Sequence, residues 1–223
     1  MVSHHLDPIS RYLDPEDAAA EILFGLIMAL TFTLGATLVA EGEVARLREI
    51  VYGAVTCNLA WGLIDGFFYI LADLFEISRR GMRITEVQRA RSKTEAMETI
   101  REAFEERITG AATPEEREHF YEEVHRLVSH MTAPARRPTR DSVAGAGIIF
   151  LLVSATSLPV VLPSLLLEDI AIALQISNGL LVICLFATGY WMATTVKGRP
   201  IRFGAITAAI GLVLVGVAKA LGG

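Results

Sequence analysis

The sequence predicts an all-α integral membrane protein, with five transmembrane helices and a cytoplasmic helical insert between the second and third. Three observations carry that expectation. Hydrophobic residues make up 52% of the 223 residues, with a mean hydropathy of +0.46 and only 20% charged residues. Charge is concentrated: 13 of the 20 Lys+Arg fall between Arg79 and Arg140, interleaved with acids. The rest of the chain runs apolar in blocks of about twenty residues, the length that spans a bilayer as helix. This pattern excludes a disordered chain, a disulfide scaffold and a basic nucleic-acid binder. The first twenty residues hold Asp7, Asp14, Glu16 and Asp17 and no apolar stretch, so no cleaved signal peptide is expected.

The organisation follows in chain order. Residues 1–19 form an N-terminal segment, 20–77 the first two spans, 78–141 the insert and 142–223 the last three spans. The expected spans are Ala20–Ala40, Ile50–Ile77, Ser142–Pro163, Ile170–Val196 and Phe203–Leu221. Asp14, Pro15, Glu16 and Asp17 give the first helix its start: a cap, a proline whose missing N–H costs nothing there, and acids facing the positive dipole end. Pro159 and Pro163 predict a kink in the third span, each deleting one helical hydrogen bond. Gly62 and Gly66 form a small-xxx-small pair that allows a neighbouring helix to approach closely.

Placing the N-terminus and the insert in the cytoplasm puts 17 Lys+Arg inside and only Arg46, Arg48 and Lys219 outside, which sets the orientation. The expected location is a prokaryotic inner or plasma membrane. Within the insert, Met97, Ile100, Phe104 and Ile108 recur at helical spacing, as do Phe120, Val124, Leu127 and Met131. Gly110–Pro114 separates the two, and Thr113-Pro114 followed by two glutamates predicts a helix start. So small an insert has little core of its own, which predicts packing on a second copy.

Ionisable groups inside spans are costly and therefore informative. Asp65 lies deep in the second span, and Tyr69, Asp73 and Glu76 follow at offsets of 4, 8 and 11, on one face of the helix. In the first span, Glu21 and Met28 share a face; a thioether is a soft ligand. In the insert, Glu98, Glu102 and Glu105 share one face, and Glu118, Glu122 and His125 repeat those offsets on the next helix with His119 beside them. Carboxylates with imidazole at this spacing suit Mn²⁺, Fe²⁺ or Zn²⁺, and equally suit a solvated charged face. No phosphate loop, H-E-x-x-H, CxxC or nucleophile elbow occurs, so no enzyme is expected.

Four stretches resemble the vacuolar iron transporter (VIT) family: Glu21–Thr31 (EILFGLIMALT), Leu63–Ala72 (LIDGFFYILA), the LPxxxPxLL pattern of Leu158–Leu166, and the closing Gly198–Gly223. Together with the five spans and the acidic insert, the similarity covers nearly the whole chain. Met28 stands where the family's first-span aspartate is expected, and Asp65 where its second-span methionine is expected. Cys57 takes the place of a further glutamate.

The resemblance implies a homodimer in the lipid bilayer that moves Fe²⁺ or Mn²⁺, with Zn²⁺ as a further cargo, out of the cytoplasm, plausibly against protons and without a tightly bound cofactor. On this reading Met28 and Asp65 share one ion, and Glu21, Tyr69, Asp73 and Glu76 line its route. The residues leave a second reading open: a non-transporting scaffold or sensor of the same fold whose insert binds a partner.

Overall fold

The computed structural model describes residues 12–39, 44–108 and 110–220, and every regular element among them is helical. In chain order these are α1 (Pro15–Val39), α2 (Val44–Arg89), α3 (Lys93–Ile108), α4 (Pro114–His130), α5 (Arg140–Ala155), α6 (Leu158–Leu166), α7 (Ile170–Thr195) and α8 (Pro200–Ala220). The chain forms two compact units, one of Met1–Tyr69 with Arg140–Gly223, the other of Ile70–Thr139. Helix α2 contributes to both.

Among the described residues four helices are long and apolar enough to cross a membrane: Pro15–Leu34, Arg46–Arg89, Ile170–Thr195 and Pro200–Val217. The pair α5 and α6, bent by 43°, makes a fifth if it counts as one broken span. The expected ends at Ala40 and Leu221 lie outside the described residues. Leu63, Phe67, Leu165 and Ile201 are all more than 60% exposed, an arrangement that water penalises and hydrocarbon accepts.

In the first unit, α1 begins as its sequence predicts, with Pro15 first, Glu16 and Asp17 in the opening turn, and the Ala18 N–H bonded to the Asp14 carbonyl at 2.9 Å. Helix α1 packs on α5, α7 and α8, and α7 also holds α6 and α8. Leu26, Ala29 and Leu30 of α1 meet Ala54, Val160, Leu181, Leu185 and Val215 in the largest buried cluster. The Gly62–Gly66 pair permits the expected close contact. A Cβ at either position would lie 3.0 Å from a backbone carbonyl of α5, that of Phe150 or Ala146.

The bend between α5 and α6 falls at Thr156–Ser157, not at the prolines themselves. Pro159 sits in the first turn of α6, where a missing N–H costs no helical hydrogen bond. The amides of Thr156 and Ser157 bond back to Val153 and Ser154 at i−3, closing the end of α5 as a tightened turn. Pro163 lies inside α6, and the Leu167 N–H reaches its carbonyl at 3.0 Å.

Helix α2 runs through the expected span end at Ile77 and continues to Arg89, roughly 70 Å at 1.5 Å per residue. Hydropathy changes along it, but nothing in Arg79–Arg89 breaks a helix: the one glycine, Gly81, packs near Pro134.

In the second unit, Val87, Ala96, Ile100 and Tyr121 form a small core, flanked by Met97, Phe104, Ile108, Val124 and Val128. The apolar stripe of α4 is therefore turned from the expected one. Tyr121 is buried, whereas Phe120, Leu127 and Met131 are exposed. Thr113 starts α4 with a complete capping box, its hydroxyl accepting from the Glu116 N–H while the Glu116 carboxylate accepts from the Thr113 N–H. Gln88 caps the far end, donating to the carbonyls of Val128 and Met131 at 2.8 and 2.7 Å.

Candidate functional site

Helices α1 and α2 run antiparallel, and their facing positions form a ladder of polar and soft groups. At one level the carboxyl groups of Glu21 and Asp65 approach closely enough for their charges and hydrogen-bonding groups to interact. Asp65 Oδ2 is buried with no hydrogen-bond partner. Next along, the rings of Phe24 and Trp61 meet edge to face, 5.8 Å between centroids. Beyond them Asn58, fully buried, donates from Nδ2 to the Gly25 carbonyl at 3.3 Å and to the Thr156 hydroxyl at 2.8 Å. Its Oδ1 has no partner. Then the Cys57 thiol lies 3.8 Å from the Met28 sulfur.

This register separates two residues that the sequence pairs. Asp65 faces Glu21, and Met28 faces Cys57. Seven residues of α1 divide the two levels, about 10 Å along the axis, so Met28 and Asp65 stand in different layers. The carboxyl groups gather at one level and the sulfurs at the other.

The other expected path residues divide further. The Tyr69 hydroxyl donates to the Tyr12 carbonyl at 2.7 Å, tying the segment before α1 to α2. Glu76 is held by its own helix, by Arg79 at 3.0 Å and Arg80 at 2.9 Å. Asp73 lies between them on the same unbroken helix.

In the second unit the acidic faces are largely matched by arginine and lysine. Arg101 bonds Glu98 at 3.1 Å and Glu118 at 2.6 Å, Lys93 bonds Glu122 at 3.1 Å, and Arg117 bonds Glu105 at 2.8 Å. The Tyr121 hydroxyl donates to the second oxygen of Glu105 at 2.7 Å. Glu102 lines a cavity of about 590 Å³ together with Arg89 and Arg136. His119 lies in a shallow groove with Glu115, Glu116 and Glu123, and the carbonyl of His125 accepts from Ser129. Among the described residues no group of three or more His, Cys, Asp or Glu side chains converges as a metal cage.

Sequence reasoning passed over Asn58 and Thr156. The signal for Asn58 was available, because an amide in a 20-residue apolar run is as costly to bury unpaired as the hydrogen bonds it makes are worth. Thr156 gave none, since a threonine in a membrane helix ordinarily bonds its own backbone, as this one also does with Val153 at 2.6 Å.

A family model for the VIT family matches residues 76–223. The chain belongs to the VIT family. That membership and the apolar helices make it a multi-pass membrane protein of a metal-transporter family. The matched region begins after Asp65, so the α1–α2 ladder is read here from its geometry. No curated protein matches the chain.

Proposed function

We propose that this VIT-family chain carries a divalent metal ion, Fe²⁺ or Mn²⁺, across the membrane along the α1–α2 ladder, with Glu21 and Asp65 as its principal ligands. The observation that carries the reading is the approach of these two carboxyl groups from facing apolar helices. Two carboxylates at close range in a low-dielectric setting repel, and a divalent cation between them cancels both charges. Oxygen ligands suit Mn²⁺ and Fe²⁺, and Zn²⁺ is accepted by the same atoms.

The excess of basic residues supports a cytoplasmic N-terminus and insert, and export from the cytoplasm is the direction that the family resemblance implies. Asp65 and Glu21 also offer exchangeable protons, so that arrival of a divalent cation at the protonated pair displaces two protons and couples the two flows. A homodimer would cover part of the apolar surface that α2 leaves exposed, including Leu63 and Phe67. The carboxylates of α3 and α4 can collect cations only where their ion pairs open, so the coordinating role falls on Glu21 and Asp65.

The test is uptake of Fe²⁺, Mn²⁺ and Zn²⁺ into proteoliposomes holding the purified chain. Asp65→Asn should remove at least about 90% of the Mn²⁺ and Fe²⁺ flux, the tenfold loss expected when a direct ligand goes. A well-folded Asp65→Asn protein that transports at the parent rate overturns the assignment.

A further inference from the structure

The ladder contains a second pair of ligand atoms that the divalent route does not require. Met28 of α1 and Cys57 of α2 bring a thioether and a thiol to 3.8 Å, converging from opposite helices. Both residues are half-buried. The levels beside them are the Phe32 ring packed against Gly53 on one side and Asn58 with the Gly25 carbonyl on the other. We infer that Met28 and Cys57 form a site for a soft monovalent cation, Cu⁺ or Ag⁺, distinct in chemistry from the carboxyl pair two helical turns away.

Ligand hardness and charge both select this class of ion. Thioether and thiolate sulfur favour Cu⁺ over the oxygen-seeking Mg²⁺, Ca²⁺ and Mn²⁺, and soft d¹⁰ monovalent ions accept as few as two ligands. The charge balance is specific to a monovalent ion. The empty pair is neutral, a thiol and a thioether. On binding, the metal–sulfur bond forms as the S–H bond breaks, and the proton leaves to water. A thiolate with a monovalent cation is again neutral, whereas a divalent ion would leave one uncompensated positive charge among apolar helices. At the Glu21–Asp65 level the same arithmetic selects a divalent ion. The two levels thus differ in both hardness and valence. Asn58, buried completely and with Oδ1 unpartnered, supplies the only further donor atom without a hydrogen bond that the described residues place at an adjoining position.

Ag⁺ tests this without redox chemistry of its own. The full-length chain in detergent, carrying Cys184→Ala so that one thiol remains, is loaded with Ag⁺ in excess histidine and free methionine, then desalted. The expected result is one Ag⁺ retained per chain, with Cys57 protected from maleimide alkylation. Met28→Leu should weaken retention roughly tenfold or more, since even outer-shell partners of a metal site are worth that much. Cys57→Ser should abolish it. Equal retention by Met28→Leu and its parent would reduce the site to a lone thiol and overturn the inference, as would alkylation of Cys57 at the same rate with and without Ag⁺. Asp65→Asn should retain Ag⁺ normally. The divalent reading therefore fails or stands on its flux assay, and this one on Ag⁺ binding.

Discussion

The Asn58 amide on α2 hydrogen-bonds the Thr156 hydroxyl at 2.8 Å, joining that helix to the break between α5 and α6. The same amide reaches the Gly25 carbonyl of α1, so three helical segments meet on one side chain. Thr156 in turn fills the space that a Cβ on Gly25 would need. Asn58→Ala removes both interhelical bonds and opens a small cavity. Interhelical hydrogen bonds in membranes are worth about 0.6 kcal/mol on average and up to about 1.7, so a loss of about 1–2 kcal/mol is expected. Thermal unfolding in detergent should show it, and Thr156→Val should produce a smaller part of the same loss. An Asn58→Ala protein as stable as its parent would show that the three-way contact contributes nothing.

The Glu21–Asp65 pair predicts non-additive flux. If both carboxyls hold one cation, losing either removes the site, and losing the second has little left to remove. Glu21→Gln, Asp65→Asn and the double variant should therefore have similar residual Mn²⁺ flux, with the double far above the product of the two single losses. Losses that multiply would place the two groups at separate steps of the route.

How much of this was open to sequence reading depends on which interactions decide each feature. The start of α1, the break before α4 and the Thr113 cap were legible because each is settled by a few adjacent residues. The small-xxx-small contact of Gly62 and Gly66 was legible as a capacity, though not its partner, α5. Pro159 and Pro163 announced a bend in this segment but not its place at Thr156–Ser157, since nothing local said that a new helix starts at Leu158. The pairing of Met28 with Cys57 and of Glu21 with Asp65 was not legible at all. It depends on how far α1 slides along α2, which side chains such as Phe24, Trp61 and Phe32 set by packing. The ion pairs between α3 and α4 were invisible for a related reason: acids on one helix find their bases on the next.

Two glycines of the membrane unit should respond oppositely to the same substitution. Gly66→Ala places a methyl 3.0 Å from the Ala146 carbonyl, a backbone atom that cannot rotate aside. The helices must part, at a cost of about 1–3 kcal/mol. Gly147 of α5 is exposed, and a Cβ there meets nothing within 4 Å. Gly147→Ala should then be neutral or stabilising by up to about 1 kcal/mol through helix propensity alone. Melting temperatures of the two variants in the same detergent decide it. A drop for Gly147→Ala would mean that this face is covered by something packed against it.

The α3–α4 hairpin should lose stability at both ends of the pH scale, for separate reasons. On the acid side, the Thr113 N–H and hydroxyl hold the Glu116 carboxyl below the usual carboxylate range. Hydrogen bonding to Arg126, aided by its charge and by that of His119, does the same for Glu123. A depressed carboxyl stabilises the folded form above its unfolded value of about 4.3, and that contribution disappears as pH falls through the folded value. On the alkaline side, burial chiefly, and then the bond to Glu105, push the Tyr121 phenol up. Its contribution is complete below the unfolded value of about 10 and is lost as pH rises through the folded one. Hydrogen exchange of peptides from α4, corrected for intrinsic rates, should show greatest protection between these limits. Glu116→Gln keeps a capping side chain that cannot ionise, so with Glu123→Gln it should flatten the acid limb. Tyr121→Phe should flatten only the alkaline limb. An acid limb that persists in the double Gln variant would assign the loss to other carboxylates, with the Glu105–Arg117 pair at 2.8 Å the next to remove.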